Sequence, residues 1–263
     1  MKKSLLKTLL LFNILLLPPA TAYAFDLQGI QPLQPYGTFS TFTAYNLDKG
    51  KWGLELITER SIDPNFYRFS LVTAYGVTDT IELIGNLPFV TDYLNDEGLE
   101  DISMGFKQKI LKEKRLGPSV SYLLTFSVPG KDRFSYRGRA GAGLIVSKRL
   151  GPFLGNLNLL YFKPTSSSLE DEYQLRIGLD MAAGHNFNLL TELIVKKSHF
   201  SESIDLIEGR LGYRVKLSSG YFGTVGMGYD FKNRNPELRL FLSLSMILPV
   251  KEKKIKKIYY EEE

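Results

Sequence analysis

A chain of 263 residues that is 44% hydrophobic and 23% charged, with a mean hydropathy of -0.09, is too polar for a bundle of membrane helices, each needing about 20 apolar residues. Its lack of cysteine excludes disulfide staples, thiolate metal sites, a cysteine nucleophile and a lipid anchor on sulfur. The formal charge of +5 nearly vanishes once the leader lysines are set aside, so the basic surplus that phosphate neutralisation needs is missing and nucleic acid is excluded as a partner.

Lys2 and Lys3 precede an apolar run from Leu5 to Leu17. Pro18 and Pro19 break it, and Ala22-Tyr23-Ala24 follows. A basic start, a short apolar centre and small residues around one larger residue make a secretory leader, residues 1–24, with cleavage expected after Ala24. The run is too short to span a bilayer. Residues 25–49 carry Pro32 and Pro35 and then the run Thr38-Phe39-Ser40-Thr41-Phe42-Thr43. They predict an extra strand, a lumen plug or a periplasmic lead-in.

From residue 50 to 250 the alternation has period two. Leu238, Leu240, Leu242, Leu244, Met246 and Leu248 share one face, opposite Arg239, Ser243 and Ser245. Leu175, Ile177, Leu179 and Met181 oppose Gln174, Arg176, Gly178 and Asp180; Leu211, Tyr213 and Val215 oppose Arg210, Gly212 and Arg214. Strands with one apolar and one polar face give this pattern, and helices do not. About twelve segments of roughly the 9–11 residues of a membrane strand are predicted: 52–60, 66–76, 80–90, 100–110, 119–128, 136–147, 153–162, 172–183, 187–197, 205–216, 221–231 and 237–248. One set of connections is short (76–79, 148–152, 184–186, 217–220). The other is longer and more polar (92–100, 129–135, 164–172, 198–203, 232–236), and 111–118 is long for its side. That asymmetry is typical of outer-membrane barrels, whose long loops face outward. Tyr67, Tyr75, Tyr122, Tyr161, Tyr173, Tyr213 and Tyr229 sit near segment ends, as interface girdles require. The fold class expected is all-β: a transmembrane antiparallel up-and-down barrel of about 12 strands in the cell outer membrane, monomeric and followed by a charged tail at 251–263. Tyr259 and Tyr260 of that tail could stand in for the terminal aromatic read at assembly.

The polar faces project Arg68, Glu82, Lys107, Arg137, Arg139, Arg176, Asp180, Glu192, Glu208, Arg210, Arg214 and Arg239 inward as lumen-lining candidates, with Glu55, Glu59, Asp101, Lys109 and Lys196 beside them. Mixed charges can line a narrow pore and select solutes, or pair across strands and fill a small barrel. His199 and Ser201 lie two residues apart, with the spacing of a nucleophile and base but no orienting third group. A surface lipase is the weakest alternative this leaves, and no catalytic residue is assigned. No phosphate loop, helical His pair or acidic calcium loop occurs, so no cofactor or metal is expected.

Gly76-Val77-Thr78-Asp79-Thr80-Ile81-Glu82-Leu83, Pro88-Phe89, Gly98-Leu99-Glu100-Asp101-Ile102, Gly105-Phe106-Lys107 and Val128-Pro129-Gly130 follow in that order. The series resembles the outer-membrane barrel family named after the meta-pathway of phenol degradation and described as a transporter. It covers about a third of the chain. Glu100 stands where that family usually has a second glycine, and the last strand does not end the chain in Phe. The resemblance implies passive uptake of small, often aromatic or apolar, compounds and supplies no catalytic residue. The expected partners are outer-membrane lipid, small solutes and the barrel-assembly machinery. A closed structural or adhesive barrel working through its outer loops is the alternative.

Overall fold

The computed structural model describes residues 27–62, 64–131, 134–135, 138–232 and 237–248. The expected leader, the charged tail and Arg137 fall outside them.

Two short strands, β1 (Gly37–Thr38) and β2 (Thr41–Phe42), pair with each other inside the barrel. The wall comprises β3 (Trp52–Ser61), β4 (Phe66–Gly76), β5 (Ile81–Tyr93), β7 (Ile102–Leu111), β8 (Ser119–Val128), β9 (Arg139–Leu150), β10 (Phe153–Pro164), β11 (Glu172–Ala182), β12 (Phe187–Lys197), β13 (Leu206–Ser218), β14 (Tyr221–Asp230) and β15 (Leu238–Leu248). Each pairs antiparallel with its neighbours, and β15 returns to β3 from Arg239↔Ser61 to Leu248↔Trp52. Twelve strands therefore close without an edge, so every ladder has a partner on both sides, as lipid demands. The short β6 (Asp96–Leu99) folds back antiparallel on the outer end of β5, from Phe89↔Leu99 to Tyr93↔Asp96.

The alternation sets which side each residue faces. Along β15, Leu240, Leu242 and Leu244 are exposed on the outside while Arg239, Phe241 and Ser245 are buried inside. Aromatic pairs ring both rims of the outer face. Trp52–Tyr75 and Phe187–Tyr213 lie at the short-turn end, with centroids 4.5 and 5.4 Å apart. Tyr161–Tyr173 and Tyr229–Phe231 lie at the long-loop end, at 5.3 and 5.2 Å. Such girdles mark the two interfaces of a membrane barrel.

Three expected boundaries move, each for a turn-chemistry reason. The connection expected at 92–100 is mostly strand: β5 runs to Tyr93 and turns through Leu94 and Asn95, both at positive φ (51° and 62°). That is the geometry of a tight hairpin turn whose twist matches its strands. The turn expected at 148–152 shrinks to Gly151 and Pro152, with Gly151 at φ 59°. Likewise β13 runs to Ser218, leaving Ser219 and Gly220 (φ 81°) to reverse the chain.

Candidate functional site

The lumen is filled from one end to the other by residues 27–47. Apart from the two-residue β1–β2 pairing the segment has no ladder of its own, so its other backbone groups need partners from the wall. At the long-loop end the Gln28 N–H donates to Glu100 at 2.9 Å, and Asn86 donates to the Gly29 carbonyl at 2.5 Å. Further down, the Gln34 N–H donates to Glu55 at 2.8 Å. The Ser40 N–H and hydroxyl reach Glu192 at 3.0 and 3.2 Å, while Arg176 donates to the Ser40 carbonyl at 2.5 Å. Asn158 holds Phe42 at both its N–H (2.7 Å) and its carbonyl (2.9 Å), mimicking a strand partner. Ser147 and Ser121 do the same for Ala44 at 2.8 and 2.9 Å. At the short-turn end Lys107 donates to the Tyr45 carbonyl at 2.8 Å, and the Leu47 N–H donates to Glu82 at 3.0 Å. The 112–118 connection, long for its side, covers this exit: Glu113 accepts from the Tyr45 hydroxyl and from the Arg149 N–H.

Apolar packing completes the seat. Ile30, Leu33, Phe42, Ala44 and Leu47 form one buried cluster with wall residues that include Val72, Ile84, Leu123, Ile145 and Leu160. Phe39 packs at 5.8 Å from Phe241 and lies over Gly212 and Gly226, where a Cβ would collide with its ring. Those two glycines make room for the aromatic ring.

The sequence candidates sort as follows. Arg68, Glu82, Lys107, Arg139, Arg176, Asp180, Glu192, Glu208, Arg214 and Arg239 are buried on the inward face, and Arg210 is nearly so. All but Arg176, which bonds Gln174 and the Ser40 carbonyl, are tied in ion pairs and chains. Arg68 pairs with Glu59 at 2.9 Å and with Glu100 at 2.5 Å, and Lys107 with Glu82 at 3.1 Å. Arg139 pairs with Glu172 at 3.0 Å, and Arg214 with Asp180 at 2.8 Å. Arg210 bridges Glu208 at 2.7 Å and Glu192 at 3.3 Å, and Arg239 reaches Glu237 at 2.7 Å. Buried carboxylates and guanidiniums require such pairing, because an unpaired charge costs several kcal/mol to desolvate.

Glu172, Asn158, Ser121 and Ser147 were not singled out by the sequence. Their one signal, a polar residue at an inward strand position, is shared by many residues with no such contact. Glu100 replaces the glycine that the resembled family usually carries, and it anchors both Arg68 and the entry of the lumen segment. The His199–Ser201 pairing does not form. His199 is buried against Glu172 and Arg139, while the half-buried Ser201 shares its hydroxyl with Ser203. Among the described residues, no cluster of acidic or imidazole groups could hold a metal ion.

No family model and no curated protein sequence matches the chain. Among solved structures it is similar to an outer-membrane channel from Pseudomonas putida F1, at 15% identity and a TM-score of 0.59, covering 78% of this chain and 97% of that one. The fold is that of an outer-membrane barrel. KdgM porin, solved with a disordered oligogalacturonate, is also similar at 11% identity and a TM-score of 0.57, covering 74% and 98%. NanC porin is similar at 10% identity and 0.57, covering 73% and 98%.

Proposed function

We propose that the protein is an outer-membrane channel that passively admits small solutes through a lumen constricted by residues 27–47. The observation that carries this is chemical: the segment is seated in a wall of paired charges and amides, and polar cavities remain beside it. In this reading the short-turn end faces the periplasm and the long loops face outward. The leader at 1–24 exports the chain, and the barrel-assembly machinery inserts it. The motif order at 76–130 supports kinship with the family it resembles. The aromatic or apolar compounds which that kinship implies would cross a lumen lined mainly by charged and amide groups, and a polar solute fits this lining better. The reading includes no enzymatic activity.

The small size of the remaining cavities, about 40 and 30 Å³, favours a second reading, a closed barrel acting through its outer loops. Single-channel recording in a planar bilayer separates the two. The protein should show small, steady openings, and a variant lacking residues 28–46 should conduct several-fold more. A folded, inserted protein that stays silent with and without that segment would instead establish the closed barrel.

A further inference from the structure

The two cavities lie on one side of the lumen segment. The outer one is bounded by Gln28, Gln31 and Ser40 of the segment and by wall groups of β3, β4, β11, β12, β13 and β15. The inner one lies between Gln34 or Phe39 and the wall residues Glu55, Ile57, Thr224, Phe241 and Ser243. Gln28, Gln31 and Arg210 line both. On the opposite side the segment is sealed by Leu123, Ile145 and Leu160 and by the Ser121, Ser147 and Asn158 hydrogen bonds. We propose that a hydrated cleft between the segment and the β13–β14–β15–β3 wall is the solute route, that it selects small anions, and that Arg210 sets the selection. As a transport route this rests on the channel reading; as an anion-selective cleft it can be tested without any current.

Charge supports the sign. Five cationic side chains, Arg68, Arg176, Lys196, Arg210 and Arg239, line the outer cavity with the carboxylates Glu59 and Glu208, while Glu100, Glu192 and Glu237 pair with Arg68, Arg210 and Arg239 from outside that lining. The Arg176 guanidinium bonds only neutral oxygens, Gln174 Oε1 at 2.8 Å and the Ser40 carbonyl at 2.5 Å. Among the described residues no carboxylate is ion-paired with it; Glu192 and Glu172 act on it only from beyond that distance, so part of its field is left for a mobile anion. In an enclosed, weakly polarisable lumen such a field acts more strongly than in water.

Arg210 stands where the cavities meet. Glu208 and Glu192 hold its guanidinium, and its plane rests 4.6 Å from the centre of the Phe241 ring. A planar, fixed guanidinium presents directed donors to an oxyanion while two carboxylates prevent it from swinging away. Beyond it, the buried Thr224 hydroxyl lines the inner cavity with no hydrogen-bond partner among the described residues and offers the next donor. Glu55, the carboxylate on that cavity, accepts from the Gln34 N–H and is the one acidic group of its lining. Each cavity holds about one water or a small ion, so a larger anion passes Arg210 by displacing Gln31.

With no native cysteine, single thiols report the route directly. Thr224→Cys and Ser243→Cys probe the cleft and Ser121→Cys the sealed side, each checked for folding by its heat-dependent gel shift. They are treated with a sulfonatoethyl and a trimethylammonioethyl methanethiosulfonate. The cleft thiols should react roughly tenfold faster with the anionic reagent, as a focused positive field implies, while Ser121→Cys reacts slowly with both. Adding Arg210→Gln should bring the two rates at Thr224→Cys close to equal. Unreactive cleft thiols, a Ser121→Cys rate matching theirs, or no preference for the anion would overturn the cleft. An unchanged preference in Arg210→Gln would overturn the role of Arg210. The predicted pattern without bilayer current would leave the anion cleft standing and remove the channel reading.

Discussion

At His199 burial and charge compete for one proton. The side chain is 1% exposed, with Nδ1 2.5 Å from the Glu170 carbonyl and Nε2 3.4 Å from the Arg139 guanidinium. A neutral ring fits both neighbours: Nδ1–H donates to the carbonyl, and Nε2 accepts from the arginine. Burial pushes the imidazole below its ordinary range, against the opposing pull of Glu172. The unfolded chain therefore takes up the proton first as pH falls, so stability is full above about 6.5 and declines below it. Urea unfolding in detergent should show a lower midpoint at pH 5 than at pH 8. His199→Gln, which keeps one donor and one acceptor, should flatten that part of the dependence. An equal slope in the variant would mean that other groups carry it.

The strand is the element that the sequence reveals best, and the reason is physical. A wall strand meets lipid on one face and the lumen on the other, so its residues alternate with no exception for a second core. Leu240, Leu242 and Leu244 could be assigned to the outer face on that ground alone. The same rule hides Leu123, Ile145 and Leu160, which are apolar yet face inward. They meet the apolar side of residues 27–47, and nothing local to β8, β9 or β10 announces that partner. Turn positions were blurred for a different reason: hairpins as tight as 151–152 need only one glycine at positive φ. The lipid-facing assignment predicts a depth-dependent cost. Leu242, near the middle of β15 and 61% exposed, should lose about 2–4 kcal/mol on replacement by Arg, whereas Leu248→Arg at the rim should lose about 0–1 kcal/mol. Urea titrations in liposomes would measure both, and equal costs would place Leu242 outside the hydrocarbon.

At the scale of the whole molecule, the wall and residues 27–47 share one buried interior. Lumen charges that were legible as isolated inward residues become intelligible only with that segment present, because Glu55, Glu82, Glu100 and Glu192 each accept a backbone N–H from it. The segment's proline-broken sequence gave no period from which its path could be drawn. Phe42 tests whether the two parts are energetically one. It is fully buried and sits in the cluster that joins the segment to β8, β9 and β10. If segment and wall unfold together, Phe42→Ala should lower the global unfolding free energy by about 3–5 kcal/mol, the usual cost of emptying such a site. If the segment undocks first, the barrel's own transition will not move, and the loss will surface as faster hydrogen exchange confined to residues 27–47. A shift in the barrel midpoint would mean that the segment stays docked for as long as the barrel is folded, and an unmoved midpoint that it can leave the lumen of a folded barrel.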